Sequence, residues 1–198
     1  MRLKLEPGDI FRVPAGGIAA WANAKFTAPP TRWFHYGLIW MPYDGDWITI
    51  DSSTESNGVN VGLLSWYLRN PGDEMSILRA DIPEDLRHAA PLALIPYARS
   101  KYGYIQVIRL ILSGIGAAIR IFLTEFGSGR LWAKDFPDML DRDAPICTRA
   151  VEIAYLAVGA PIIDPRYPAI PAAFEEAVLE GVLKEIYYIK KGDGNERK

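Results

Sequence analysis

The sequence is poor in the residues that most often mark a site by themselves. One cysteine, Cys147, and two histidines, His35 and His88, are spread over 198 residues. A single cysteine cannot form an internal disulfide, so nothing points to a disulfide-stapled secreted domain. The three residues are too scattered for a zinc-ligand spacing, and the glycines at 114–116 and 127–129 lack the context of a phosphate loop. The sequence therefore predicts no metal and no cofactor.

An excess of charge of one sign is also missing. The chain has 22 basic and 24 acidic residues, which gives a net charge of −2. No global positive field draws it to nucleic acid, so we expect no nucleic-acid partner. The opening stretch, MRLKLEPGDIF, lacks the apolar core of a secretory signal, and from this we expect a cytoplasmic location by default.

One apolar run, at residues 104–123, approaches the ~20 residues that a bilayer-spanning helix needs. It contains Arg109 and Arg120, and an arginine at membrane depth is costly. We therefore expect a packed helical insertion, or a helix that lies at a membrane surface with both arginines reaching out of it, rather than a membrane span.

Strand patterns fill the chain up to residue 80. Alternating or short apolar runs predict strands at Ile10–Val13, Trp33–Trp40, Trp47–Asp51, Val59–Leu64 and Met75–Arg79. The Asp44-Gly45 pair predicts a tight hairpin turn. An antiparallel meander is the simplest arrangement of these strands.

Helical patterns dominate the rest. After Pro83, apolar residues such as Leu92 and Ile95 recur at helical spacing, and further helices are predicted in CTRAVEIAYLAVG and AAFEEAVLEG. The stretch VLKEIYYIKKG predicts a final strand. We therefore expect one α+β domain over residues 1–190, followed by a disordered tail at 191–198.

The cysteine falls at a predicted helix start. Asp143 is the expected N-cap and Pro145 the expected first-turn residue, which places Cys147 in that turn. The partial positive charge and unpaired N–H groups there stabilise a thiolate and can hold an oxyanion. The alternative is a buried cysteine that only fills apolar space.

His35 lies in the strand WFHYGLIW. Gly37 follows on the same face and leaves a gap beside it. If the hairpin pairs as predicted, Asp51 lies near His35 and its carboxylate can orient the imidazole. The alternatives are a core histidine and an aspartate that begins an Asx turn. Glu55 is the second candidate for the orienting carboxylate.

Four motifs follow one another along the chain: Gly8-Asp9-Ile10, then His35-x-Gly37-Leu38, then Asp51 before Gly58-Val59, and finally Cys147 with Ala150, Val151, Ala154, Tyr155 and Gly159. In this order they resemble the papain-like NlpC-type cysteine hydrolases, specifically the circularly permuted YiiX/YebB-like branch. The chain departs from that pattern at Thr148 and Arg149, where serine and an acidic residue are usual, and in having an aspartate as the acid.

The resemblance implies a permuted papain-like fold: an antiparallel β meander or barrel, then helices, with the nucleophile helix near the C-terminus. It also implies a catalytic triad in which Cys147 is the nucleophile, His35 the base and Asp51 the orienting acid. The implied activity is a cysteine peptidase or amidase acting on an amide, such as a bacterial cell-wall peptide, with delivery by a phage or a dedicated secretion route. The alternatives are a lipid-directed acyl hydrolase or acyltransferase of the same superfamily, and a binding module that kept the fold without activity.

Overall fold

The computed structural model describes residues 4–14, 25, 27–70, 73–98, 100–103, 132, 134 and 145–190. The predicted apolar insertion at 104–123, the tail at 191–198 and the expected N-cap Asp143 lie outside the described residues. The described part has the α+β composition that the sequence predicts, with strands before Pro83 and mainly helices after it.

Six strands form one antiparallel sheet. They are β1 (Ile10–Pro14), β2 (Trp33–Tyr43), β3 (Asp46–Ser53), β4 (Gly58–Leu63), β5 (Glu74–Ala80) and β6 (Leu183–Lys190). Their order is β4-β3-β2-β1-β5-β6. The prediction of a continuous meander is therefore wrong at one step, because β5 pairs with β1 instead of β4.

The hairpin between β2 and β3 turns at the predicted dipeptide. Asp44 has φ 46° and Gly45 has φ 79°, so both central residues are in the left-handed region. Two such residues define the turn whose twist matches that of the flanking strands. This local feature sets the register of the two strands that carry His35 and Asp51.

Three α-helices and two 3₁₀ helices accompany the sheet among the described residues. They are α1 (Glu84–Ala89), α2 (Cys147–Ala157) and α3 (Pro171–Leu179), with 3₁₀ helices at Leu64–Leu68 and Ala90–Tyr97. In the described part of the chain no helix is long and apolar enough to cross a bilayer.

The prediction of an α-helical apolar face at Leu92 and Ile95 is wrong. This segment is a 3₁₀ helix in which both side chains are about half exposed, while Ala90 and Leu94 are buried. Pro96 lies inside it and cannot donate a backbone hydrogen bond, which disfavours a continuing α-helix.

The two faces of the sheet carry different layers. Neighbouring strand residues alternate between two apolar clusters: Ile10 and Leu38 belong to the first, Phe11 and Ile39 to the second. Helices α2 and α3 contribute to the first cluster. The 3₁₀ helix at Leu64–Leu68 covers the second.

Gly37 lies where three strands come closest on the second face. It pairs with Phe11 across to β1 and with Asp51 across to β3. A Cβ built on Gly37 would lie 2.4 Å from the Phe11 ring and 2.7 Å from the Cβ of Asp51. Both distances are far below van der Waals contact, so the position requires glycine. The gap that the sequence predicts at Gly37 is thus filled by these two side chains.

The Gly37→Ala substitution should destabilise the fold by about 1–3 kcal/mol, as added carbon does in a packed interior. Thermal unfolding followed by circular dichroism measures this. Met41→Ala, at a partly exposed position of the same strand, is the control, and we expect it to stay within about 0.5 kcal/mol of wild type. An unchanged unfolding temperature for Gly37→Ala would contradict the packing argument.

Candidate active site

His35 and Asp51 meet on the second face of the sheet. Asp51 pairs directly with Gly37, so it is the diagonal cross-strand neighbour of His35. Nε2 of His35 lies 2.8 Å from Oδ2 of Asp51. The line between these atoms falls outside the hydrogen-bonding direction of the ring N–H, so the contact is an ion pair when His35 is protonated. The hairpin register predicted this proximity.

The structure places Asp51 inside its strand. Strand β3 continues to Ser53, and Asp51 also pairs with Asn60 of β4. The alternative of an aspartate that ends the strand and begins an Asx turn is therefore wrong. Glu55, the second candidate for the orienting carboxylate, is exposed in the turn that follows.

Cys147 is the first residue of helix α2. The cap residue is Ile146, without a side-chain cap, so the prediction of Pro145 inside the first turn is wrong by two positions. The first intrahelical bond runs from the Ala150 N–H to the Ile146 carbonyl at 2.8 Å. The N–H groups of Cys147 and the next two residues precede that bond and have no acceptor within the helix.

The thiol of Cys147 lies at the backbone of the histidine strand. Its Sγ donates to the carbonyl of Phe34 at 3.6 Å, and the sulfur lies close enough to the His35 imidazole to raise the pKa of that ring. Because Nε2 of His35 faces Asp51, Nδ1 is the nitrogen available to the sulfur. The three side chains singled out from the sequence therefore lie together, with the imidazole between the sulfur and the carboxylate.

The charge state of His35 follows from these neighbours. Burial lowers the pKa of His35, but the Asp51 carboxylate and the Cys147 sulfur outweigh it and raise the pKa to about 10. An imidazole with this pKa carries its proton at neutral pH. The arrangement therefore favours an imidazolium held between two groups that can be negatively charged.

Two aromatic side chains that sequence reasoning missed enclose the imidazole. Tyr67 stacks on His35 with ring centroids 5.5 Å apart and planes 23° from parallel. Phe11 lies at 6.0 Å with its ring tilted by 51°. The alternation of β1 could have placed Phe11 on this face. No spacing signal could have placed Tyr67, because it comes from a 3₁₀ helix beyond the next strand.

Two hydrogen bonds fix helix α2 against the sheet. Near its start, the buried Ser52 hydroxyl donates to the Pro145 carbonyl at 2.6 Å. Further along it, the Tyr155 hydroxyl donates to the Gly8 carbonyl at 2.5 Å. Ser52 follows Asp51 in β3, so its bond to Pro145 joins β3 to the start of helix α2 next to the site.

Asp9, in the first motif, has a structural role. Its carboxylate is fully buried and receives two bonds from the Arg79 guanidinium at 2.7 Å each. It also accepts the Glu6 N–H at 2.8 Å. These bonds hold the turn before β1.

Arg149, one departure from the family pattern, is turned away from the thiol. Its side chain is buried and pairs with Glu152 one helical turn later. The charge that the sequence places beside Cys147 is therefore compensated within the helix. The other departure, Thr148, is buried as well.

The chemistry that this arrangement can support is nucleophilic acyl transfer. It contains a thiol at a helix start, an imidazole near the thiol and a carboxylate in contact with the imidazole. Catalysis by an activated nucleophile requires these three groups. Over the described ranges, no group of three or more histidine, cysteine or acidic side chains is placed to hold a metal ion.

No protein-family model matches this chain, and no curated protein sequence matches it either.

Proposed function

We propose that this protein is a cysteine hydrolase that cleaves an amide bond, with Cys147 as nucleophile, His35 as general base and acid, and Asp51 as the residue that orients His35. The observation that carries the proposal is the 2.8 Å contact between His35 and Asp51, on an imidazole that also has the chain's single thiol as a neighbour. Three residues far apart in sequence meet in the order that this chemistry needs.

The proposed reaction has two halves. In the first, the Cys147 thiolate, whose proton is already on His35, attacks the carbonyl carbon, and the C–N bond breaks as His35 gives that proton to the leaving amine. The product is a thioester on Cys147. In the second, water gives a proton to His35 and attacks the thioester, which releases the acid and regenerates the thiol.

The start of helix α2 supplies the electrostatic part of the mechanism. The N–H groups of Cys147 and its successors have no acceptor within the helix, and they sit at the positive end of its dipole. An oxyanion that forms on the carbon attacked by Sγ would lie beside these groups. Donors fixed in advance at such a position stabilise the transition state more than the substrate.

The resemblance of the sequence motifs suggests the substrate class, a peptide amide of the bacterial cell wall. A lipid-directed acyl hydrolase or acyltransferase would use the same three side chains, and a binding module would need none of them. The reactivity of the thiol and the pH dependence of turnover separate catalysis from binding, and purified substrates separate the two substrate classes.

The reactivity of Cys147 should depend on His35. Since the thiolate is the form that iodoacetamide alkylates, an imidazolium beside the sulfur should keep the alkylation rate nearly equal at pH 6 and pH 9. In His35→Ala the rate at pH 6 should fall to about one two-hundredth of that at pH 9, as for a free thiol with a pKa of about 8.5. Mass spectrometry follows the reaction at the single cysteine.

His88→Ala is the matched control, because His88 is a partly exposed histidine that contacts Glu84 of its own helix. It should keep the wild-type ratio of the two rates. If the wild-type protein itself shows the difference of about two hundredfold expected of a free thiol, or if His35→Ala behaves as wild type, the hydrolase proposal is wrong.

Amide turnover should fall as the pH rises through about 10. The pKa of His35 is raised to about 10, so the proton that His35 gives to the leaving amine is present below that pH and lost above it. A nitrophenyl ester, whose leaving group needs no proton, is the control for kcat/KM. A fall near pH 7 for the amide would contradict the assignment.

The substrate class can be decided with purified ligands. We expect release of peptide fragments from cell-wall muropeptides by the wild type, none by Cys147→Ala, and slower turnover of short-chain acyl esters. Product analysis by liquid chromatography and mass spectrometry measures both. Ester turnover without peptide release would favour the lipid-directed alternative, and no turnover of either would favour the binding module.

A further inference from the structure

Tyr67 has two contacts with the proposed triad, and they involve different parts of its side chain. Its ring stacks on the His35 imidazole, with centroids 5.5 Å apart. Its hydroxyl lies near the Asp51 carboxylate, whose charge helps to raise the pKa of Tyr67. One residue therefore contacts both members of the ion pair, and it does so from outside the strands that carry them.

The position of Tyr67 is itself fixed. The 3₁₀ helix at Leu64–Leu68 lies on the second face of the sheet, with Leu64 buried in its apolar cluster. The Phe11 ring packs against Tyr67 with centroids 4.6 Å apart. Phe11 in turn occupies the space left open at Gly37. The phenol is thus held by packing that does not depend on a substrate.

The hydroxyl of Tyr67 is a donor under all ordinary conditions. Burial, together with the nearby Asp51 carboxylate, raises the pKa of Tyr67 above its usual value, so the hydroxyl keeps its proton. A carboxylate has several acceptor positions and can rotate unless more than one of them is engaged. The Tyr67 hydroxyl can therefore serve as a second partner for Asp51, besides the imidazole.

We propose that Tyr67 is a positioning residue of this site: its hydroxyl holds the Asp51 carboxylate in place under Nε2 of His35, and its ring covers the imidazole on one side. The inference rests on the proposed function, because it assigns Tyr67 a role in that same triad. Tyr67 acts on Cys147 only through Asp51 and His35, which separates its role from that of a residue touching the substrate.

The test uses the alkylation of Cys147 and needs no substrate. Tyr67→Phe removes the hydroxyl and keeps the ring. We expect the ratio of the rate at pH 6 to the rate at pH 9 to fall about fivefold below wild type. This is the effect of losing one hydrogen bond to the Asp51 carboxylate, which the His35 imidazole still partly holds. Asp51→Asn should lower the ratio further in the same direction.

The double variant Asp51→Asn with Tyr67→Phe decides how Tyr67 acts. If the hydroxyl works through the carboxylate, Tyr67→Phe has no further effect once Asp51 is replaced. Tyr187→Phe is the matched control, because it also removes a tyrosine hydroxyl from a bond to the fold, where that hydroxyl accepts the Lys4 N–H. It should leave the alkylation ratio unchanged.

Three results would overturn the inference: a wild-type ratio in Tyr67→Phe, a wild-type ratio in Asp51→Asn, or an equal effect of Tyr67→Phe with and without Asp51. The first and third leave the hydrolase proposal intact as long as His35→Ala still lowers the ratio, whereas the second would also remove the role that the proposal gives to Asp51. If His35→Ala has no effect, the proposed function fails first. The two failures are therefore distinguishable in one set of measurements.

Discussion

The close approach of three strands at Gly37 is the constraint on which the site depends. A Cβ at this position would overlap the Phe11 ring and the Cβ of Asp51, so its absence allows β1 and β3 to bring both side chains against the same point of β2. His35 is two residues away on that face. The carboxylate that contacts the imidazole and the ring that packs beside it both occupy space that only glycine leaves open. Tyr67 then packs on Phe11, so the enclosure of His35 follows from the same gap.

The parts of this arrangement that could be predicted from the sequence are those set by local patterns. Alternation in β2 and the Asp44-Gly45 turn together fix the register of one hairpin, and that register is enough to bring Asp51 near His35. The pairing of β5 with β1 could not be predicted in this way, because it joins strands that are far apart in the chain. Tyr67 was missed for the same reason: its contact with His35 depends on how the segment after β4 crosses the sheet, which no repeat spacing encodes.

The helix start shows a different limit of sequence patterns. Proline before a helix and a free cysteine near it predicted a first turn containing Cys147, and the cysteine is indeed its first residue. The predicted helix start is two positions too early. Pro145 precedes the helix, and its carbonyl accepts a hydrogen bond from the Ser52 hydroxyl. The sequence also placed the charge of Arg149 beside the thiol, whereas the fold pairs it with Glu152 inside the helix. A charged residue that is close to a thiol in the sequence therefore need not act on it in the fold.

The sulfur and the imidazole reach each other from different layers of the fold. His35 projects on the second face of the sheet, whereas Cys147 begins a helix whose apolar side packs on the first face. They can meet only near the start of β2, where the sulfur lies at the carbonyl of Phe34. Any tilt of the helix would change this distance, and two bonds oppose such a tilt: Ser52 to Pro145 beside the cysteine and Tyr155 to Gly8 two turns later. Two anchors on one helix define both its position and its direction. The bonds from Ser52 to Pro145 and from Tyr155 to Gly8 thus help to hold the Cys147 sulfur against the His35 imidazole.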